Sequence, residues 1–312
     1  MSSNGLMRLE LRYLAALEAI AATGSFGRAA EALDYTQSAV TQQIASLERL
    51  VGQPLLDRPG GPRPVTLTPA GALLLDHAEA VLARIRIAET QLQAVGQGAA
   101  GTLRIGTYQS AGVRILPAAL ARLAETNADI QTEICEEPDD LHLIELVRHG
   151  RLDVTFCVLP VPKESLPTAE LLEDPFRLLV PADSPWSGTT VPLEALASMP
   201  MIGYRGCRTE QRVESYLRGL GVDLNRVAYA DDNGIIQAMV AEGTGVALLT
   251  ELAIDEADPR TLAVELDAWL PPRRVALAWH SDQGSAAALQ AFVAAAQEVT
   301  AGRRAAVRTE PV

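Results

Sequence analysis

The stretch from Ser25 to Leu50, SFGRAAEALDYTQSAVTQQIASLERL, constrains the chain more than any other. It reads as two short helices joined by a tight turn. Ser25 is placed to cap the first helix, whose apolar face is Ala29, Ala30 and Leu33. Asp34 and Tyr35 make the turn, and Thr36 caps a second helix that opens at Gln37. Val40, Ile44, Leu47 and Val51 recur at helical spacing and face inward. Gln37, Ser38, Thr41, Gln42 and Ala45 are left on the opposite face. Short amides and hydroxyls on such an edge suit the major groove of DNA, where Gln pairs with adenine and Ser and Thr bond several base edges. The same residues also fit the solvated face of an ordinary small bundle, so the residues beyond Leu50 decide between the two.

After Gly52, which stops the second helix, Leu55 and Leu56 begin a short strand. Pro59 to Pro64 can only turn, and Val65 to Leu67 return. This is a small hairpin, or wing, with Arg58 at its base and Arg63 at its tip. Each arginine suits a phosphate or the minor groove, and equally suits keeping a loop in water. Thr68-Pro69 then starts a long helix, with Thr as cap and Pro at the first helical position. Leu74, Ala78, Val81, Ile85, Ala88, Leu92 and Val95 alternate spacings of four and three along it. That heptad seam fits either pairing of two helices or packing on the chain's own domain, and its regularity favours a dimer through Leu74, Val81, Ile85 and Leu92. Gly96, Gly98 and Gly101 form a hinge. Upstream, Leu9 to Ala22 is a first helix with Leu14, Leu17 and Ala21 inward.

SFGRAAEAL, TQSAVTQQIASLE, LVGQPLLDR and VTLTPAG occur in this order. In that order they resemble the winged-helix and linker-helix region of LysR-type transcriptional regulators, over the first 95 residues. The resemblance implies DNA contacts from Gln37, Ser38, Thr41 and Gln42, with Ser25, Arg28, Thr36, Arg58 and Arg63 around them. Gln42 stands where many relatives carry Arg, which removes a phosphate or guanine contact. Promoter DNA, a small-molecule effector, a homodimer that pairs into a tetramer, and RNA polymerase are the implied partners.

The remaining half alternates strands and helices, an α/β pattern. Strands are expected at 102–106, 130–135, 153–158, 176–180, 201–204, 226–230, 246–249 and 275–280. Helices are expected at 115–126, 140–149, 209–220, 235–242 and 285–300. Pro160-Val-Pro162 and Pro271-Pro272 look like crossings between two lobes. This half resembles the family's effector domain, which is built like a periplasmic solute-binding protein. The expected organisation is therefore a winged helix over 1–66, a linker helix and hinge over 67–97, and an effector domain over 98–312. Lobe I would take 102–162 and 271–300, and lobe II 163–270.

A ligand between such lobes meets strand C-terminal ends and helix N-termini. That nominates Tyr108, Gln109 and Ser110 after the first strand, then Asp139 and Asp140, then Cys157. In the second lobe it nominates Tyr204, Arg205, Cys207 and Thr209, then Asp232 and Asn233. The resemblance puts Ser110 at a frequent effector contact. Ser110 and Thr209 also fit plain caps. Arg205 and Arg208 suit a carboxylate, whereas Asp139, Asp140 and Asp232 suit an amine, so the charge of the ligand stays open. Cys207 falls near the reactive cysteine of peroxide-sensing relatives, and Arg205 and Arg208 would lower its pKa. No second cysteine follows to resolve it.

The net charge of -13 belongs to the second half. Residues 1–66 balance six arginines against six acids, while the rest holds 20 basic and 33 acidic side chains. A neutral DNA-binding segment implies modest non-specific affinity and a shallow salt dependence. Cys135, Cys157 and Cys207 form no disulfide framework, and His77, His142, His149 and His280 form no metal spacing. No GxSxG, P-loop or dinucleotide fingerprint marks an enzyme. No cofactor beyond the effector is expected. The N-terminus lacks a secretory apolar region and no stretch is long enough to span a membrane, so a cytoplasmic protein is expected. A thiol-based regulator of the same fold, or a cytoplasmic solute-binding protein with no role on DNA, are the alternatives.

Overall fold

A computed structural model describes residues 8–58, 63–96, 102–162, 166–267, 270–284 and 286–307. Within these, only the backbone is described for 93–96 and 302–307. The centre of the expected Pro59–Pro64 turn, the hinge glycines Gly98 and Gly101, and the side chain of Val95 lie outside the described set. The chain divides into two compact units, Met1–Thr90 with Arg148–Arg151, and Gln91–Val147 with Leu152–Val312.

The first unit opens with α1 (Leu11–Thr23), α2 (Phe26–Ala32) and α3 (Gln37–Val51). Each boundary has a local cause. The Ser25 hydroxyl accepts from the Arg28 amide at 3.4 Å and the Thr36 hydroxyl from the Ala39 amide at 3.2 Å. Asp34 makes the turn between α2 and α3 in the left-handed region, at φ 56°. Gly52 ends α3 at φ 78°, where a side chain would be strained. Leu17, Ile20, Ala29, Ala30, Val40, Ile44 and Leu47 close over one core with Leu55 and Leu56. Ala21 is only half-buried, and Ala16 and Ile20 take the inward positions beside it.

The wing is the antiparallel pair β1 (Leu56–Asp57) and β2 (Thr66–Leu67). Glu48 of α3 ties it down, its Oε1 accepting from the Leu55 amide at 2.9 Å. Helix α4 (Pro69–Gly96) begins as expected, with the Thr68 hydroxyl accepting from the Gly71 amide at 3.0 Å. A Cβ on Gly71 would collide with the Leu55 carbonyl, so glycine lets α4 lie against the wing. The helix is 28 residues long, about 42 Å at 1.5 Å per residue. Its stripe divides. Leu74 packs on the winged-helix core, and Ala78 and Leu82 pack with Leu14 of α1. Beyond them Val81, Ile85 and Leu92 are exposed, Leu92 by 71%. Leu74, nominated for a dimer seam, is thus partly buried against its own domain.

The second unit holds two five-stranded sheets. The first is ordered β4 (Gln131–Glu136), β3 (Thr102–Thr107), β5 (Val154–Val158), β12 (Arg273–Trp279), β6 (Thr168–Asp174). The second is β11 (Thr261–Val264), β7 (Phe176–Pro181), β10 (Val246–Thr250), β8 (Pro200–Gly203), β9 (Asn225–Tyr229). In each, four strands run one way and one runs antiparallel to both its neighbours, β12 in the first sheet and β7 in the second. Helices α5 (Gln109–Arg114), α6 (Leu116–Thr126), α7 (Asp140–Arg148) and α10 (Ala287–Val307) accompany the first sheet in sequence, and α8 (Arg208–Gly219) and α9 (Asn233–Ala241) the second. The first lobe crossing is corrected. It falls at Pro175 between β6 and β7, not at Pro160–Pro162, because β6 pairs with β12 of the first sheet. The second, between β11 and β12, includes Pro271-Pro272 as expected.

Candidate functional site

Two regions collect the nominated residues. The first is the outer edge of α3. Gln37, Ser38, Thr41 and Gln42 are exposed along it. The Thr41 hydroxyl donates to the Gln37 carbonyl at 2.8 Å and keeps its lone pairs, and the Thr36 and Ser38 hydroxyls meet at 3.0 Å. The Gln37 and Gln42 amides form no hydrogen bond among the described residues, so both keep donor and acceptor for a base edge. Ala45 is half-buried, which shortens the free edge. Arg28 is exposed and donates to the Thr23 carbonyl, and Arg63 is exposed. Arg58 has a structural post: Nη2 donates to Glu48 Oε2 at 3.2 Å, and its guanidinium lies 5.2 Å from the Phe26 ring centroid.

The second region is a cavity of about 640 Å³ where the two sheets of the second unit meet. Tyr108, Gln109 and Ser110 reach it from the end of β3, and Asp139 and Asp140 from the start of α7. Tyr204, Arg205, Cys207 and Thr209 reach it from the β8–α8 connection, and Asp232 and Asn233 from the start of α9. Cys157 does not line it. It is fully buried on the other face of β5, with Ile144, Ala276 and Ala278, because alternate strand residues face opposite ways. Burial pushes its thiol up to about 12.

Several nominated side chains are engaged across the lobes. Gln109 Nε2 donates to Asp232 Oδ2 at 2.6 Å, and the Asn233 amide donates to Gln109 Oε1 at 2.8 Å. Asp140 is buried, accepts from the Val158 amide at 3.0 Å, and forms a salt bridge with Arg208. Arg208 also donates to the Val158 carbonyl at 2.7 Å and the Pro160 carbonyl at 3.1 Å. Asp140 and Arg208 line the cavity already paired with each other. Asp139 accepts from the Leu141 amide at 3.0 Å, and the Arg205 amide donates to Asp231 at 3.0 Å. Neither Ser110 nor Thr209 caps a helix: Tyr108 and Cys207 hold those positions.

Cys207 is half-buried, and burial pushes its thiol up despite the helix amides of Glu210 and Thr209. Burial also raises Glu210 to about 7, against Arg226, which Glu210 shares with Glu214. Arg273, at the start of β12, is a cavity residue that the sequence reading missed. Its Nε donates to Asp174 at 3.0 Å and its Nη2 to the Ser110 hydroxyl at 2.9 Å. The guanidinium lies 5.1 Å from the Tyr108 ring centroid. The Tyr108 hydroxyl is buried with no partner among the described residues. Phe176, Val213, Leu248 and Ala253 give the cavity its apolar walls. Among the described residues no cluster of His, Cys, Asp and Glu fits a metal ion, and no helix is long and apolar enough to cross a membrane.

Residues 11–72 match the bacterial regulatory helix-turn-helix protein, lysR family, and residues 96–301 match the LysR substrate binding domain. The chain belongs to the LysR family of transcriptional regulators. This LysR-type regulator is 30% identical over 283 residues to the "Probable hydrogen peroxide-inducible genes activator" of Mycobacterium avium, covering 87% of this chain and 88% of the other. Full-length OxyR from Pseudomonas aeruginosa shares its fold with a TM-score of 0.66 at 24% identity, covering 93% and 95% of the two chains. CbnR in complex with its target DNA gives 0.61 at 19% identity, covering 93% and 99%. The chain is a DNA-binding transcriptional regulator with an effector-binding domain. The match over 11–72 overturns the alternative of a solute-binding protein with no role on DNA.

Proposed function

We propose that α3 of this LysR-type regulator reads promoter DNA with Gln37, Ser38, Thr41 and Gln42, and that a small molecule in the lobe cavity governs that binding. The observation that carries the reading is the exposed polar edge of α3, whose two glutamine amides have no partner among the described residues. Arg28 and Arg63 are assigned to phosphate or minor-groove contacts beside it. Arg58 acts by holding the wing to α3. Val81, Ile85 and Leu92 pair the α4 helices of two copies, which sets two recognition helices on a two-fold-related site. Pairing through effector domains would make a tetramer, and RNA polymerase is the further partner. Closure of the lobes on effector shifts the spacing of the paired DNA-binding units and so the bend imposed on the promoter.

The test is a gel shift with the DNA upstream of the regulator's own gene. Gln37→Ala should cost about 1–3 kcal/mol at one base position and leave other positions unchanged. Unaltered specificity would remove Gln37 from base readout.

A second reading, a thiol sensor through Cys207, is favoured by the place of Cys207 in the cavity wall and by the name of the Mycobacterium avium relative. Its raised thiol and the loss of Arg208 to Asp140 weigh against fast reaction. Mass spectrometry after one equivalent of peroxide separates the two: prompt oxidation of Cys207 would support the sensor, and an unmodified thiol would leave the small-molecule reading.

A further inference from the structure

Two polar ties cross from one lobe to the other at the cavity wall. The first starts from Arg208, the first residue of α8. Its Nε donates to Asp140 Oδ1 at 3.2 Å and its Nη2 to Asp140 Oδ2. Nη2 also donates to the Val158 carbonyl at 2.7 Å, and Nη1 to the Pro160 carbonyl at 3.1 Å. Arg212, one turn along α8, donates to the Leu159 carbonyl at 2.9 Å. The partners of Arg208 thus sit on lobe I, at the start of α7 and just at and beyond the end of β5. The second tie is Gln109 of α5. Its Nε2 donates to Asp232 Oδ2 at 2.6 Å and its Oε1 accepts from the Asn233 amide at 2.8 Å, both at the start of α9 in lobe II. Gln109, Asp140, Val158, Arg208, Asp232 and Asn233 all line the cavity. Neither tie involves the crossings at Pro175 and Pro271-Pro272, so the covalent path between the lobes does not impose them.

We propose that Arg208 and Gln109 form a two-point clasp that holds the lobes together before any ligand arrives, so that entry to the cavity waits on its release. The proposal rests on the reading of the lobes as parts that move. Parting them exchanges these bonds for bonds to water, and those with a charged partner are the stronger kind. Asp140 is buried and already fixed by the Val158 amide at 3.0 Å, so it meets Arg208 with little side-chain freedom left to lose. Gln109 engages its partner lobe through both ends of its amide, which fixes the orientation of that side chain as well. The closed arrangement is then populated without effector. An effector shifts an equilibrium that the chain has already biased, rather than supplying the whole of closure.

Cys207 reports on the clasp without any ligand, because it lines the same cavity and is half-buried. The experiment is labelling of the full chain with N-ethylmaleimide and with the bulkier fluorescein-5-maleimide, each well below the melting temperature of the variant used. Mass spectrometry of the Cys207 peptide gives the rate. Wild type should label far more slowly than glutathione. Asp140→Asn and Gln109→Glu keep side-chain size, so neither enlarges the cavity. The first removes the charge that holds Arg208, and the second sets a carboxylate against Asp232. Each should speed labelling about tenfold or more. The gain should be larger for the bulkier reagent, since parting the lobes widens access, whereas a change in the thiol itself would speed both reagents alike. Gln109→Glu separates lobe parting from loosening of the β8–α8 connection, because Gln109 bonds to the start of α9 and not to that connection.

Wild-type labelling as fast as glutathione would show the cavity standing open and overturn the clasp. Unchanged rates in both variants would overturn it too. A gain in Asp140→Asn alone would reduce Arg208 to local support of the β8–α8 connection, and equal gains with both reagents would trace the effect to the thiol; either result contradicts the proposal. The assay uses neither effector nor DNA, so its failure leaves base readout by α3 to the gel shift.

Discussion

Glu210 shows how one residue gives this cavity a pH dependence. Its carboxyl is raised from 4.5 to about 7, chiefly by burial, although Arg226 opposes this. The folded state therefore holds a proton that the unfolded chain has released between those values. Its contribution to stability is greatest below pH 4.5 and falls as the pH rises towards 7. Glu210→Gln keeps an acceptor for the Tyr204 amide and removes the ionisation. The variant should gain melting temperature relative to wild type at pH 8 and little at pH 5. An equal effect at both values would contradict the burial argument. Arg58→Ala belongs to the same scale. Losing the bond to Glu48 and the contact with Phe26 should cost about 1 kcal/mol of stability, read by denaturant unfolding, with DNA sequence preference intact.

At the scale of elements, the proposed pairing gives α4 two jobs along its length, and substitutions separate them. Leu92→Asp should split the dimer in light scattering and leave the fold intact, because Leu92 is 71% exposed. Leu74→Asp should instead lower the stability of the winged helix, because Leu74 packs on its core. A dimer that survives Leu92→Asp would remove the exposed stripe from the interface. The heptad rule saw the periodicity of this helix but not its change of partner, since spacing does not record what covers a face. Features with local causes were legible: the caps at Ser25, Thr36 and Thr68, and the stop at Gly52. Strand β6 was not. Its sequence, TAELLED, carries three acids, and its partner β12 lies about a hundred residues on. Missing it misplaced the first lobe crossing. Helix α5 was missed as well, being only six residues long. The strand-end rule gathered most of the cavity, yet nominated Cys157, which faces the other way, and passed over Arg273. The signal for Arg273 was a charge at the head of the apolar run VALAW after two prolines.

At the scale of the molecule, the charge is divided between the parts. The balanced 1–66 segment gives little general attraction to phosphate, and the acidic remainder gives none. On the proposed reading, discrimination between sequences comes from α3 and from the pairing of two copies. Affinity for random duplex should then be modest and fall only shallowly with salt. A neutral reading unit fits a regulator whose occupancy is set by a second ligand, since a strongly basic one would stay on DNA in either state. The most direct test is fluorescence anisotropy of the purified protein with the duplex upstream of its own gene and a scrambled duplex of equal length, at low salt, with candidate metabolites present. Base readout by α3 predicts a preference on the order of 10³ or more for the upstream duplex, reduced about tenfold or more in Gln37→Ala. Equal affinity for the two duplexes would contradict it.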